Sequence, residues 1–92
     1  MQLNPQQREQ LRLSLLRFLD ENPSRFGLPT GYLLQAVRAE GRQGLIEQQV
    51  TAELEYLKDK GLVNEPAKIL SPENRNWKIT ADGRDFLAQN QA

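Results

Sequence analysis

Gln48, Gln49 and Thr51 fall within one turn of a helix-forming stretch, "IEQQVTAELEYLKDKGLV", Ile46 to Val63. A carboxamide can pair bidentately with adenine, and a threonine can donate to a phosphate or touch a thymine methyl. Helical rotation places Gln48, Ala52, Glu55 and Asp59 opposite an apolar line of Val50, Leu54 and Leu57. The chemistry on offer is hydrogen-bond readout of a surface. Against it stand Glu47, Glu53, Glu55 and Asp59 in the same segment, countered by Lys58 and Lys60. These charges read equally as a solvated helix face or as part of a recognition surface.

Bond-making chemistry has little to work with. The chain contains no cysteine and no histidine, which removes thiolate nucleophiles, imidazole acid–base catalysis, disulfides and Cys/His zinc sites together. Ser14, Ser24 and Ser71 therefore lack an imidazole partner. "GRQG" has neither the Lys-Ser/Thr pair nor the preceding strand of a phosphate loop. The carboxylate pairs stand at helical spacing. No enzymatic activity, cofactor, metal or small-molecule ligand is expected.

A second cluster lies nearer the carboxy terminus. Asn74, Arg75, Asn76 and Lys78, with Lys68 before them and only Glu73 opposing, give a local positive balance. Three such cations on phosphates would give a salt slope of about −2.7. Arg8, Arg12, Arg38 and Arg42 are further candidates, with no sequence signal for the face they occupy. The whole molecule carries no field to add, because twelve basic and twelve acidic residues cancel.

These side chains must be held by a small scaffold. A length of 92 residues allows one domain, 1–92, with a core from about residue 5 to 88 and frayed ends. The polar start "MQLNPQQREQ" carries no signal-peptide pattern, and no run is long and apolar enough to span a membrane, so a cytoplasmic location is expected. Breakers at "ENPSRFGLPTG", "GRQG", "KG", "NEP" and "SPENRN" divide the chain.

A first helix is predicted from about Pro5 to Glu21, with Leu11, Leu15, Phe18 and Leu19 on one stripe. Leu13 and Leu16 lie off that stripe, which means either packing on two sides within the domain or a second face for another subunit. "PTGYLLQAVRAEGRQG" predicts a second helix capped by Thr30, buried through Leu33, Leu34 and Val37, and stopped at Gly41 or Gly44. The third helix starts after Ile46, a poor N-cap, with Leu45 and Val50 placed for a hydrophobic staple, and ends at Gly61.

Then the period shortens. "LVNEPAKIL" and "NWKIT" predict a hairpin through "SPENRN", with Trp77 and Ile79 on the core side and Pro66 at an edge or bulge. "TADGRDFLAQNQA" predicts a short helix capped by Thr80, with Asp82 in its first turn and Phe86 and Leu87 inward. The order is α+β.

"VTAELEYLKDKGLV" (Val50 to Val63) and "NRNWKITADGRDFL" (Asn74 to Leu87) resemble segments of MarR- and PadR-type bacterial regulators. In those regulators a recognition helix runs into "GLV", followed by a wing and a "TxxGRxFL"-like helix. The resemblance spans about Leu11 to Leu87. The arrangement "LLQAV…LEYLKDKGLV" is also similar to small winged-helix proteins of Mu-like prophages. It implies a winged helix-turn-helix fold, a three-helix core with a β-hairpin wing and a short carboxy-terminal helix.

By the same resemblance the third helix enters a major groove through Gln48, Gln49, Thr51 and Ala52, and Asn74, Arg75, Asn76 and Lys78 of the wing reach the neighbouring backbone. The partner would be DNA, bound by a homodimer acting as a small transcriptional regulator. Where such regulators often carry Ser, Arg or His, this chain has Thr51, Ala52 and Glu53. The competing expectation, from zero net charge and the acidic third helix, is a protein-interaction or dimerisation module of the same shape.

Overall fold

The computed structural model describes residues 2–66 and 75–90. The expected turn "SPENRN" through Asn74, and Lys68 before it, lie outside the described residues. Four helices and three short strands follow one another: α1 (Pro5–Glu21), β1 (Leu28–Pro29), α2 (Thr30–Ala39), α3 (Glu47–Asp59), β2 (Val63–Asn64), β3 (Asn76–Ile79) and α4 (Ala81–Asn90). This is an α+β arrangement of four helices and a small three-stranded antiparallel sheet.

α1 begins with a reciprocal cap. Asn4 Oδ1 accepts from the Gln7 amide at 2.8 Å, Gln7 Oε1 accepts from the Asn4 amide at 3.0 Å, and Pro5 fills the first helical position. Leu11, Leu15, Leu16 and Leu19 are buried, and Leu13 and Phe18 pack partly against the same cluster. The broad apolar face of α1 is thus mostly consumed inside the domain, where it touches α2, α3, α4 and β3.

Thr30 does not cap α2, as its sequence position suggests. Pro29 is the N-cap and supplies no side-chain bond. Thr30 instead donates through Oγ1 to the Arg75 carbonyl at 3.3 Å and accepts from Trp77 Nε1 at 2.8 Å. A buried indole N–H has only a donor to offer and must find an acceptor, so tertiary need overrides local capping. α2 stops at Gly41, whose φ of 109° is the left-handed terminator; Gly44 is not used this way. Arg38 then bonds the Leu45 carbonyl through Nε and Nη2, at 2.9 and 2.7 Å, fixing the turn into α3.

α3 has half a capping box. Ile46 has no side-chain acceptor, but Gln49 Oε1 accepts from the Ile46 amide at 3.1 Å. Leu45 and Val50, the two staple positions, are both fully buried. At the other end Gly61 (φ 78°) closes a Schellman motif, with Gly61 N donating to Lys58 O and Leu62 N to Leu57 O, each at 2.9 Å.

β3 is the central strand, in the order β1-β3-β2, both pairings antiparallel. Val63 faces Ile79 and Asn64 faces Lys78 on one side; Leu28 faces Trp77 and Pro29 faces Asn76 on the other. β2 is therefore an edge strand, and Pro66 follows it rather than interrupting it. β1 was not expected. "ENPSRFGLPTG" reads as loop, and two residues, one of them proline, carry no alternation. Gly27 lets it approach, since a Cβ there would lie 2.7 Å from the Trp77 carbonyl oxygen.

Thr80 joins the end of α3 to the start of α4. Its Oγ1 donates to Gly61 O at 2.7 Å and accepts from Gly83 N at 3.0 Å, and its amide donates to Leu62 O. The expected cap is present. The expectation for Phe86 fails: Leu87 is buried, but Phe86 is 38% exposed. Gly83 and Leu87, four apart, define the buried stripe, so Phe86 falls to its edge. Trp77 and Ile79 close the core from the sheet side, as their alternation predicts.

Candidate functional site

The surface worth building is the solvent side of α3 and the sheet edge next to it. Val50, Leu54 and Leu57 turn one side of α3 into the core, so Gln48, Ala52 and Glu55 must face out, and Gln48 and Ala52 are exposed. With Glu47 and the half-buried Thr51 they line a shallow depression of about 380 Å³. The structure thus brings together three of the four expected reading residues.

Gln49 is the exception. It is partly buried, its Oε1 holds the Ile46 amide, and it borders a separate depression with Gln2, Leu3, Arg8 and Glu53. One residue of helical rotation, about 100°, is enough to send neighbouring glutamines to different surfaces. Gln49 caps its own helix.

The carboxylates of α3 are not one solvated face. Glu53 is buried, 4% exposed, and sits between two arginines of α1. Arg12 Nε donates to Oε1 at 2.6 Å and Arg8 Nε to Oε2 at 3.0 Å. Two cations on one buried carboxylate satisfy the demand that such a charge be paired. Arg12 also lies over the Tyr56 ring, 3.7 Å from its centroid.

Glu55 and Glu65 hold Arg75, which the sequence offers as a free wing cation. Arg75 Nη1 donates to Glu55 Oε1 at 2.7 Å, while Nε and Nη2 grip both oxygens of Glu65 at 2.8 and 3.1 Å. Lys58 Nζ adds a contact to Glu65 Oε2 at 2.7 Å, and the guanidinium lies 4.6 Å from the centroid of Trp77. The Arg75 fork lowers the Glu65 carboxyl to about 2, with Lys58 assisting and burial opposing. Glu65, and in lesser part Glu55, raise Arg75 in return. This clamp joins the base of β3 to α3. Nothing in "LVNEP" marks Glu65 as its keystone, because the pairing spans 10 residues and depends on the strand pairing.

Asn76 and Lys78 project from the face of β3 opposite Trp77 and Ile79, both half-buried. Lys78 forms no ion pair among the described residues. Asn74 lies outside them. The further cations are committed internally: Arg8 and Arg12 to Glu53, Arg38 to the Leu45 carbonyl, and Arg42 to Glu40 at 2.7 Å. Arg17 pairs with Glu40 as well.

Among the described residues no group of three or more Asp or Glu side chains is placed to hold a metal ion, and no helix is long and apolar enough to cross a membrane. Comparison with protein-family models, with characterised proteins and with solved structures finds no match.

Proposed function

We propose that the chain is a winged helix-turn-helix domain that docks on duplex DNA. The amino-terminal half of α3 lies in the major groove and the β2–β3 ribbon lies against the neighbouring backbone. The observation that carries the reading is the disposition of charge on α3. Gln48 and Ala52 are exposed and Thr51 half-buried on the half that would enter the groove, whereas Glu53 is buried between Arg8 and Arg12 and Glu55 is bonded to Arg75. Two of the four α3 carboxylates are thereby compensated, whereas Glu47 and Asp59 form no ion pair among the described residues. The element order, with β1 between the first two helices and β2–β3 after the third, is compatible with this fold.

In this reading Gln48 and Thr51 specify the site, Ala52 gives the backbone room to approach, and Lys78 with Asn76 anchors the ribbon. The role would be that of a small cytoplasmic regulator of transcription, of bacterial or prophage type. One short helix reads few base pairs, so two copies acting on paired half-sites are required. The electrostatic share of affinity is small, since each free phosphate-binding cation contributes only about −0.9 to the salt slope.

A pooled-oligonucleotide selection at low and then moderate salt is the test. An enriched motif with half-sites about 10 base pairs apart is expected; absence of any enrichment at low salt overturns the reading. A second reading rests on Arg75, whose guanidinium is already satisfied by Glu55 and Glu65. It is that of a protein-interaction module that keeps the shape without binding nucleic acid. A chain that ignores every duplex yet forms a stable complex with another protein would favour it.

A further inference from the structure

Glu55 stands on α3 one helical turn beyond Thr51 and two beyond Gln48, and it lines the same shallow depression. Its side chain is 54% exposed. One carboxylate oxygen is occupied, because Arg75 Nη1 donates to Oε1 at 2.7 Å. The other, Oε2, accepts no bond among the described residues.

The contact with Arg75 does more than hold the fold. Nε and Nη2 of Arg75 already grip Glu65, and a carboxylate as exposed as that of Glu55 adds little stability through one further ion pair. What the contact does is fix Glu55 and neutralise it. Glu65 anchors the guanidinium, and the guanidinium then restricts the rotation of Glu55. Glu55, Glu65, Lys58 and Arg75 together carry two charges of each sign, so the cluster meets a polyanion without net repulsion.

An ionised carboxylate only accepts hydrogen bonds. In the major groove guanine presents N7 and O6 and thymine presents O4, all acceptors, so both bases oppose it. Adenine sets its N6 donor beside the acceptor N7. Cytosine alone presents the N4 donor without an adjoining acceptor, and is the base edge that an open carboxylate oxygen fits. A glutamine such as Gln48 carries both a donor and an acceptor and fits adenine instead.

We infer that Glu55 is a base-reading residue selective for a C·G pair, with Oε2 accepting from cytosine N4 and Arg75 acting as the positioning residue. The inference rests on the DNA reading and adds to it the base that the second turn of the reading surface selects. Residues two turns apart on a helix in the groove meet bases within about three base pairs of each other. The cytosine therefore lies in the same half-site as the adenine opposite Gln48. Arg75 serves this site without touching the nucleic acid.

Selection from a duplex pool by the unmodified chain, Glu55→Gln and Glu55→Ala tests it. The unmodified chain should enrich a cytosine at one position of each half-site. Glu55→Gln should enrich adenine at that position and leave the others unchanged, and Glu55→Ala should lose preference there. By fluorescence anisotropy, replacing that cytosine with thymine should weaken the unmodified chain on the order of tenfold and Glu55→Ala hardly at all. Arg75→Ala should narrow the cytosine-to-thymine ratio itself, a change that lost stability alone does not produce. Circular dichroism checks folding, and the Glu55 variants decide the matter even if Arg75→Ala is unstable, because Glu65 still holds Arg75 in them. An enriched motif that is the same for all three chains removes Glu55 from the readout and leaves the DNA reading standing. A ratio unchanged in folded Arg75→Ala overturns the positioning role, and no enrichment at low salt overturns both readings together.

Discussion

Arg75 grips both carboxylate oxygens of Glu65, at 2.8 and 3.1 Å, and its remaining nitrogen reaches Glu55 at 2.7 Å. Three segments distant in sequence, α3, the residues after β2 and the start of β3, are tied at one guanidinium. In the proposed DNA reading Arg75 could meet a phosphate only by leaving Glu55 and Glu65, so there the clamp and binding compete for it.

The clamp makes stability depend on acid. The folded Glu65 carboxyl titrates at about 2, below its ordinary 4.5, so the native state favours the ionised form. Its stabilising contribution is complete above about 4.5 and is lost as pH falls towards 2. Allowing for solvent screening at this surface position, Glu65→Gln should cost about 1–2 kcal/mol at pH 7. That difference should vanish near pH 2. Urea unfolding at both pH values checks it, and a penalty unchanged by acid would refute the linkage.

Thr30→Val keeps the shape of Thr30 but leaves the Trp77 indole N–H without its acceptor. A loss of about 1–3 kcal/mol is expected, with Thr30→Ser recovering most of it. Trp77 is the single tryptophan, so its fluorescence reports the unfolding transition directly. Equal stability of the Val and Ser variants would remove this bond from the account.

Two helical glycines should respond in opposite directions to alanine. At Gly83 a Cβ would sit 2.1 Å from the Leu62 carbonyl oxygen, so Gly83→Ala must push α4 off the turn after α3. A loss of about 2 kcal/mol or more is expected. At Gly31 nothing lies within 4 Å, and Gly31→Ala should stabilise by about 0.5–1 kcal/mol through helix propensity. Thermal unfolding of the pair tests whether close approach, rather than glycine as such, is what α4 needs.

In the proposed DNA reading the residues divide by role. Gln48→Ala and Thr51→Ala should change which sequences a duplex selection enriches. Lys78→Ala should weaken all sequences alike and reduce the salt slope by about 0.9 per copy. Gln49→Ala should act on helix stability, not on preference. Fluorescence anisotropy at several salt concentrations separates these effects; an unchanged slope for Lys78→Ala would take the ribbon out of the interface.

By itself the sequence determined the local elements whose signals lie within one or two turns. Pro5 and Glu21 bound α1, Gly61 ends α3, Thr80 starts α4, and the alternation of Trp77 and Ile79 sets the buried face of β3. Steric limits on backbone angles and the periods of helix and strand act over a few residues, so they can be read directly. The tertiary structure alone decided the fate of the polar side chains. Thr30 left its helix cap to serve Trp77, Gln49 turned inward beside Gln48, Glu53 was buried between two arginines, and Arg75 closed on Glu65. β1 exists only because β3 offers it a partner, and Phe86 stays at the surface because Gly83 and Leu87 take the stripe that faces the core. A charge or a hydrogen-bond donor chooses the partner that folding brings within about 3 Å, and no local spacing encodes which partner arrives.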